Sequence, residues 1–245
     1  CEWKPSLHFR WSETRGIVSF GLYLTGFQFV NYFNRNLDNL LIGRFLGSEL
    51  LGFYDIAYKI LLFPLQNISA VIGRVMFPAL STIQDDEARM REAYINVTRY
   101  IAFISFPIVT MIIVLAPEFT RVVLGDQWER SIQIIQTLAV VALVQSIVAT
   151  VGWLYLSKGK TNILFLWGII TAIVYTAAFV IGLHWSIEGV ATAYAIANVL
   201  LLYPAFAIPF RFINLGFLHF VKRLSLVVLA TAVMGAVAFG VRYLL

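Results

Sequence analysis

Long apolar runs alternate with short polar segments along the whole chain. A helix that crosses a bilayer core of about 30 Å takes about 20 residues, and seven of the runs are long enough to do so. The later five carry little charge, whereas the first two contain charged residues in their interior. The predicted spans are residues 17–43, 50–77, 95–116, 131–156, 162–183, 187–210 and 223–242. The pattern therefore predicts an all-α polytopic membrane protein.

The composition agrees with this prediction. Of the 245 residues, 60% are hydrophobic and 13% are charged, and the mean hydropathy is +0.82. A soluble domain carries about 25% charged residues, so this chain has too few polar side chains to cover a globule in water. The net charge of +5 comes from basic residues scattered between the spans, which argues against nucleic-acid binding, where basic residues cluster.

The basic residues are distributed unequally between the two ends of the predicted spans. On the side of the N-terminus lie Lys4, Arg10, Arg15, Arg74, Arg89, Arg91, Lys158, Lys160, Arg211, Lys222 and Arg223; on the other side lie Arg44, Arg121, Arg130 and Arg242. Because short cytoplasmic loops are enriched in Lys and Arg, we expect the N-terminus in the cytoplasm. Residues 1–16 are then an interfacial segment ahead of a membrane lobe formed by residues 17–245. The chain begins with Cys rather than Met, so we expect it to be part of a longer protein.

The sequence contains no familiar catalytic motif. The histidines His8, His184 and His219 are far apart, and Cys1 is the one cysteine. There is no HExxH, GxSxG, P-loop or GxGxxG pattern, and one thiol allows no internal disulfide. We therefore expect neither an enzyme nor a metal or cofactor site.

Polar residues in the first span form a stripe on one helical face. Positions i, i+3, i+7 and i+10 share a face, and this spacing fits Gln28, Asn31, Arg35 and Asp38, with Asn34 at the side. In the second span, Asp55 and Lys59 are i,i+4 neighbours. Because the two spans are consecutive and antiparallel, their polar faces can meet.

Charged residues inside a span need a reason, because each costs about 2.5–3.5 kcal/mol on insertion scales. One interpretation is structural: Arg35 pairs with Asp38 and Asp55 with Lys59, as neutral internal locks. The functional interpretation is a water-filled cavity that binds a charged or sugar-rich substrate. A third alternative is that the membrane boundary lies elsewhere and leaves Asp55 and Lys59 in the interface.

Three segments carry a family resemblance. Residues 36–86, NLDNLLIGRFLGSELLGFYDIAYKILLFPLQNISAVIGRVMFPALSTIQDD, resemble the Wzx-type polysaccharide flippases, above all the exporters of colanic-acid-like exopolysaccharides. The runs VVLGDQWERSIQIIQTLA (122–139) and SIEGVATAYAIAN (186–198) are similar to the same family, more weakly. The family belongs to the multidrug, oligosaccharidyl-lipid and polysaccharide exporter superfamily.

The resemblance implies a fold and a function. Such proteins have two pseudo-symmetric lobes and flip an undecaprenyl-pyrophosphate-linked oligosaccharide across the bacterial inner membrane by alternating access. This chain looks like the C-terminal lobe, so the implied partners are the missing N-terminal lobe, the lipid-linked oligosaccharide, membrane lipids and the polysaccharide polymerase or export machinery. We expect that the chain alone does not transport.

On this hypothesis the polar residues have the following roles. Arg35 and Lys59 contact phosphate or an acidic sugar, since basic side chains bind such groups well. Asn31, Asn34 and Asn39 hydrogen-bond sugar hydroxyls. Asp38 or Asp55 either binds a coupling proton or sodium ion or holds the basic residues in place.

Other classes of function remain as alternatives. A multidrug or cation antiporter of the same superfamily would place an acidic residue for a cationic drug, whereas this stripe is mixed in sign. An intramembrane enzyme would need a catalytic His, Cys or metal set, and none is evident. A non-transporting membrane scaffold would use buried charges only as locks.

Overall fold

The computed structural model describes the backbone of residues 11–244 and, within that range, all side chains except those of residues 11–13, 63, 64, 66 and 243. Eight α-helices make up this described part. They are α1 (Trp11–Phe45), α2 (Ser48–Thr82), α3 (Glu87–Phe119), α4 (Ser131–Val148), α5 (Val151–Ser157), α6 (Thr161–Gly182), α7 (Ser186–Phe210) and α8 (Phe217–Leu244). Short π- and 3₁₀-helical turns occupy Thr120–Leu124, Asp126–Trp128, Leu183–Trp185 and Arg211–Ile213. The predicted all-α class is confirmed.

Polar contacts tie the connecting segments together at both ends of the bundle. At the near end, where α1 begins, Lys158 donates to the Gln84 carbonyl and Arg91 donates to the Asn214 carbonyl. At the far end, the Arg130 guanidinium lies 2.9 Å from the Glu188 carboxylate, and this hydrogen bond raises the pKa of Arg130. Successive long helices therefore cross the bundle in alternating directions, with α4 and α5 together making one crossing.

Five helices form a ring. α1 packs along α6, α6 along α7, α7 along α4, and α4 along α2, while α1 and α2 touch over a shorter stretch. α3 packs on the other side of α4, and α8 packs on α3. One apolar core fills the space between α2, α4 and α7 and includes Tyr54, Leu138 and Val190; a second includes Tyr94, Leu154 and Phe206 nearer the near end.

The expected number of about seven membrane spans is not met. By length and composition, the described residues hold four candidate spans, or up to five if the bent α2 pair, Ser48–Leu62 and Asn67–Thr82, is one span. The polar stripe explains part of the difference, because α1 is not among the four. The candidate span Thr161–Ile213 also combines two predicted spans, since it contains both α6 and α7. The polytopic membrane assignment itself holds.

Helix boundaries differ from the predicted ones in two further places. The described part of α1 already includes Trp11, so residues 11–16 of the predicted interfacial segment are continuous with the first helix; residues 1–10 lie outside the described part. The predicted span 131–156 is two helices, because the regular i→i−4 hydrogen bonds are interrupted at Ala149 and Thr150, where the Thr150 amide donates to the Ile147 carbonyl, although both residues keep helical dihedral angles. The Thr150 hydroxyl is 2.9 Å from the Tyr94 hydroxyl, so the break is held by a polar contact with α3.

Glycines allow the closest helix contacts. Gly182 and Gly189 face each other across the turn between α6 and α7, and a Cβ on Gly182 would lie 2.7 Å from the Gly189 carbonyl oxygen. α1 and α6 interlock through a reciprocal pair: the Phe165 ring packs on Gly26, and the Phe27 ring packs on Gly168. Small residues at such positions let the backbones of membrane helices approach.

Candidate functional site

An open groove runs between α1 and α2. Its volume is about 400 Å³, and it is lined by Gln28, Asn31, Tyr32, Arg35, Asn36 and Tyr58. Five of these six residues come from α1, because one face of that helix carries the polar stripe. We call this cavity the α1–α2 groove.

A second cavity lies in the middle of the helix ring. This central cavity has a volume of about 340 Å³, and α1, α4, α5, α6 and α7 contribute its walls. Its polar lining residues are Asn31, Asn34, Arg35, Gln145, Tyr155, Thr171, Tyr175, Tyr194 and Asn198, together with Trp167. Asn31 and Arg35 line both cavities, so they stand at the boundary between the central cavity and the α1–α2 groove.

Four residues form a hydrogen-bond network in the wall of the central cavity. Gln145 Nε2 donates to the Tyr194 hydroxyl at 2.6 Å and to Asn198 Oδ1 at 3.4 Å. The Tyr175 hydroxyl donates to the same Asn198 oxygen at 3.2 Å, and Asn198 Nδ2 donates to the Tyr194 carbonyl at 2.9 Å. The network joins α4, α6 and α7 and fixes the orientation of these side chains.

The polar stripe of α1 did not reveal this network. The signal was present in the sequence, because Gln145 and Asn198 are amides inside otherwise apolar spans. Buried polar groups within a membrane span point to a partner or a cavity. What the sequence does not contain is the register that brings one turn of α4 against one turn of α7.

Asn34 is placed differently from its polar neighbours. The residue is 8% exposed and lines the central cavity. Among the residues that the structure describes, its amide has no hydrogen-bond partner. The amide faces the open space of the cavity instead.

Asp38 points away from both cavities and toward α2. It is 2% exposed, its Oδ2 accepts a hydrogen bond from the Tyr54 hydroxyl at 3.0 Å, and its Oδ1 accepts one from the Asn39 amide at 2.8 Å. Within the described part of the chain, the carboxylate forms no ion pair with Arg35. The structural interpretation paired Asp38 with Arg35. In the structure, the Tyr54 hydroxyl takes that place as the partner of Asp38.

Asp55 and Lys59 form an ion pair within α2. Lys59 Nζ lies 2.6 Å from Asp55 Oδ2, and the two side chains are 71% and 33% exposed respectively. Neither residue lines the central cavity or the α1–α2 groove, and neither does Asn39. Of the five residues predicted to contact substrate, the structure thus brings Asn31, Asn34 and Arg35 together and leaves Asn39 and Lys59 outside.

The charge of the lining limits what the two cavities can bind. Among the described side chains that line them, Arg35 is the charged one in both cavities, and the other polar groups are neutral. Such a set can hydrogen-bond a polyhydroxylated ligand and attract an anion at the boundary. No cluster of three metal-binding side chains occurs in the described part of the chain.

The Asp38–Tyr54 contact leads to a stability prediction. Tyr54→Phe removes one hydrogen bond to a buried carboxyl group and is expected to destabilise the full-length protein by about 1–3 kcal/mol. Tyr155→Phe is the matched control: Tyr155 is also buried, but its hydroxyl has no partner among the described residues, so little or no loss is expected. Thermal melting of the two variants in the same detergent measures the difference. Equal losses would contradict a stabilising role of the contact.

Comparisons with known proteins find a matching family and several relatives. Residues 1–133 match the family described as polysaccharide biosynthesis protein. The teichuronic acid biosynthesis protein TuaB of Bacillus subtilis is 29% identical over 98% of the chain and 50% of its own length. The lipopolysaccharide biosynthesis protein WzxC of Escherichia coli is 32% identical over 74% of the chain and 37% of its length.

A third relative is named for transport. The succinoglycan biosynthesis transport protein ExoT of Rhizobium meliloti is 23% identical over 73% of the chain and 36% of its length. The chain thus spans about half, or less, of the length of each of these three relatives. No solved structure is significantly similar to it.

Proposed function

We propose, because the chain belongs to the family of polysaccharide biosynthesis proteins, that it is the C-terminal lobe of a transporter that flips a lipid-linked oligosaccharide across the bacterial inner membrane. The observation that carries this proposal is the central cavity. It lies within a bundle of apolar helices, and amides, hydroxyls and one guanidinium converge on it. A glycan head group needs such a polar shelter in the bilayer core, where an unpaired polar group costs several kcal/mol.

The residues of α1 have distinct roles in this proposal. Arg35 binds the pyrophosphate or an acidic sugar, because a guanidinium forms bidentate hydrogen bonds with such groups. Asn31 and Asn34 hydrogen-bond sugar hydroxyls. Lys59 and Asn39 do not line the cavities, so they would meet the substrate only as it enters or leaves. Asp38 or Asp55 would carry a coupling proton or sodium ion, or keep its neighbours in place.

The rest of the transporter follows from this assignment. The N-terminal lobe of the same protein would close the α1–α2 groove from the opposite side, and one lobe would rock against the other around the bound head group. The excess of Lys and Arg at the near end supports a cytoplasmic position for that end. The polysaccharide polymerase or export machinery would take over the flipped product.

The competing cation antiporter is supported less well by the lining. An organic cation inside a membrane protein needs a carboxylate as a counter-charge. Among the described residues, no Asp or Glu lines the central cavity or the α1–α2 groove, whereas Arg35 lines both. The arrangement repels cations and suits an anionic or neutral polar ligand.

Complementation tests the proposal. The full-length gene, expressed in a bacterial strain that lacks its polysaccharide flippase, is expected to restore surface polysaccharide, measured by immunoblotting or sugar analysis of the cell surface. The same strain with empty vector is the control. The proposal fails if the protein reaches the membrane at normal levels without restoring polysaccharide, and increased resistance to cationic drugs instead would favour the antiporter.

A further inference from the structure

The amide of Asn34 faces the central cavity and has no protein partner in the described part of the fold. Asn34 is 8% exposed, and its side chain lines the central cavity without a hydrogen-bond partner among the described residues. Because none of the described protein groups pairs with this amide, both its oxygen and its nitrogen can hydrogen-bond a ligand in the cavity. A leucine of similar size could fill the same position but could not hydrogen-bond such a ligand.

The groups around Asn34 are also suited to bind a neutral polar ligand. Gln145 donates both of its recorded hydrogen bonds through Nε2, which leaves its carbonyl oxygen to accept from a ligand. The network of Tyr175, Tyr194 and Asn198 holds Gln145 in position. Trp167 of α6 contributes an aromatic ring to the same lining. A sugar ring matches such a wall, because its hydroxyls both donate and accept while its C–H face packs on an aromatic ring.

The lining and the volume of the central cavity suit a small ligand that is neutral away from Arg35. Arg35 stands at the boundary, and all other polar groups around the central cavity are uncharged. An acidic sugar deep in this cavity would have no second positive charge to pair with. The volume of about 340 Å³ is near the lower limit of small-molecule sites, about 300 Å³, so it suits a monosaccharide unit rather than a longer glycan.

We propose that the central cavity is a subsite for one neutral sugar ring of the transported glycan, with Asn34 as a specificity-determining residue and Trp167 as the surface on which the ring packs. This inference rests on the proposed function and deepens it: the anionic part of the substrate stays at Arg35 and the α1–α2 groove, and the neutral ring enters between α1, α4, α6 and α7. Asn34 then selects for hydroxyl or amide groups on that ring.

Binding of free sugars to the full-length protein tests the subsite. The protein is purified in a detergent without a sugar head group, because an alkyl glycoside would compete for the cavity. Its melting temperature is measured at increasing concentrations of a sugar. Glucose, galactose and N-acetylglucosamine are the neutral probes, and glucuronate is the acidic probe. The variants are Asn34→Leu and Trp167→Leu, and the control is Asn96→Leu, at a half-buried asparagine of α3 that lines neither cavity.

We expect at least one neutral sugar to stabilise the wild-type protein. Asn34→Leu should weaken that sugar's Kd at least about tenfold without lowering the melting temperature of the free protein, since no hydrogen bond is lost. Trp167→Leu should weaken it as well, and Asn96→Leu should leave it unchanged. The proposal is overturned if no neutral sugar stabilises the wild-type protein, if Asn34→Leu binds as tightly, or if glucuronate binds more tightly than the neutral sugars and loses affinity in Asn34→Leu. Complementation by the wild-type gene reports separately on the proposed function.

Discussion

Replacing Arg35 with alanine in the full-length protein is expected to lower polysaccharide export about 10- to 100-fold. Arg35 is the charged residue at the boundary of the two cavities, and a hydrogen bond to a charged group contributes about 1.5–3 kcal/mol, where 1.4 kcal/mol corresponds to a factor of ten. Export is measured as surface polysaccharide in the complemented strain, normalised to the amount of protein in the membrane.

Two further variants sharpen this result. Arg35→Lys keeps the charge but loses the bidentate geometry, so we expect partial export. Arg44→Ala removes an exposed arginine in the last turn of the same helix, away from both cavities, and should leave export unchanged. Normal export by Arg35→Ala at normal expression would refute the assigned role.

The largest expected effect on folding comes from Gly189→Ala. An added Cβ would overlap the Gly182 carbonyl oxygen and lie 2.6 Å from Trp185 Cβ. Because the first of these neighbours is backbone, the α6–α7 turn would have to open. Overpacking costs about 1–3 kcal/mol and occasionally more, and we expect a loss at the upper end of this range, seen as a lower melting temperature and a lower yield in the membrane.

Gly240→Ala is the matched control for this substitution. Gly240 also lies within an apolar helix, but a Cβ there would meet no atom within 4 Å. Alanine is about 1 kcal/mol better than glycine in a helix interior, so this variant should be as stable as the wild-type protein or more so. Equal behaviour of the two variants would mean that the α6–α7 contact is looser than described.

The periodicity of the sequence predicted much of the helical architecture. Each of the seven apolar runs became helical, because in a bilayer every backbone polar group must find a partner within the segment. Composition could not show that the helical hydrogen bonds of the fourth run are interrupted at Ala149 and Thr150, where the Thr150 hydroxyl contacts Tyr94 of a distant helix. The number of spans differed because the polar stripe keeps α1 out of the candidate spans and because α6 and α7 fall within one candidate span.

The candidate site was only half visible in the sequence. Helical spacing placed Asn31, Asn34 and Arg35 on neighbouring faces of α1, and all three line the central cavity. The same spacing grouped Asp38 with them, but its carboxylate bonds to Tyr54 of α2. Which neighbour a polar side chain meets is decided by helix rotation and register, and a single sequence records neither. The positions of Gln145 and Asn198 in the cavity wall depend on helix rotation and register in the same way.

The reciprocal phenylalanine–glycine contacts between α1 and α6 hold the two helices together as one rigid unit. Each holds a phenylalanine ring against a glycine of the other, so sliding or rotating one past the other would drive a ring into backbone. The contact between α1 and α2 is shorter, so these two helices can separate more easily than α1 and α6. Any motion that widens the α1–α2 groove therefore carries α6 along with α1, and with it the wall of the central cavity that Trp167 and Tyr175 form. Opening of the groove beside Arg35 and the shape of the central cavity are in this way mechanically coupled.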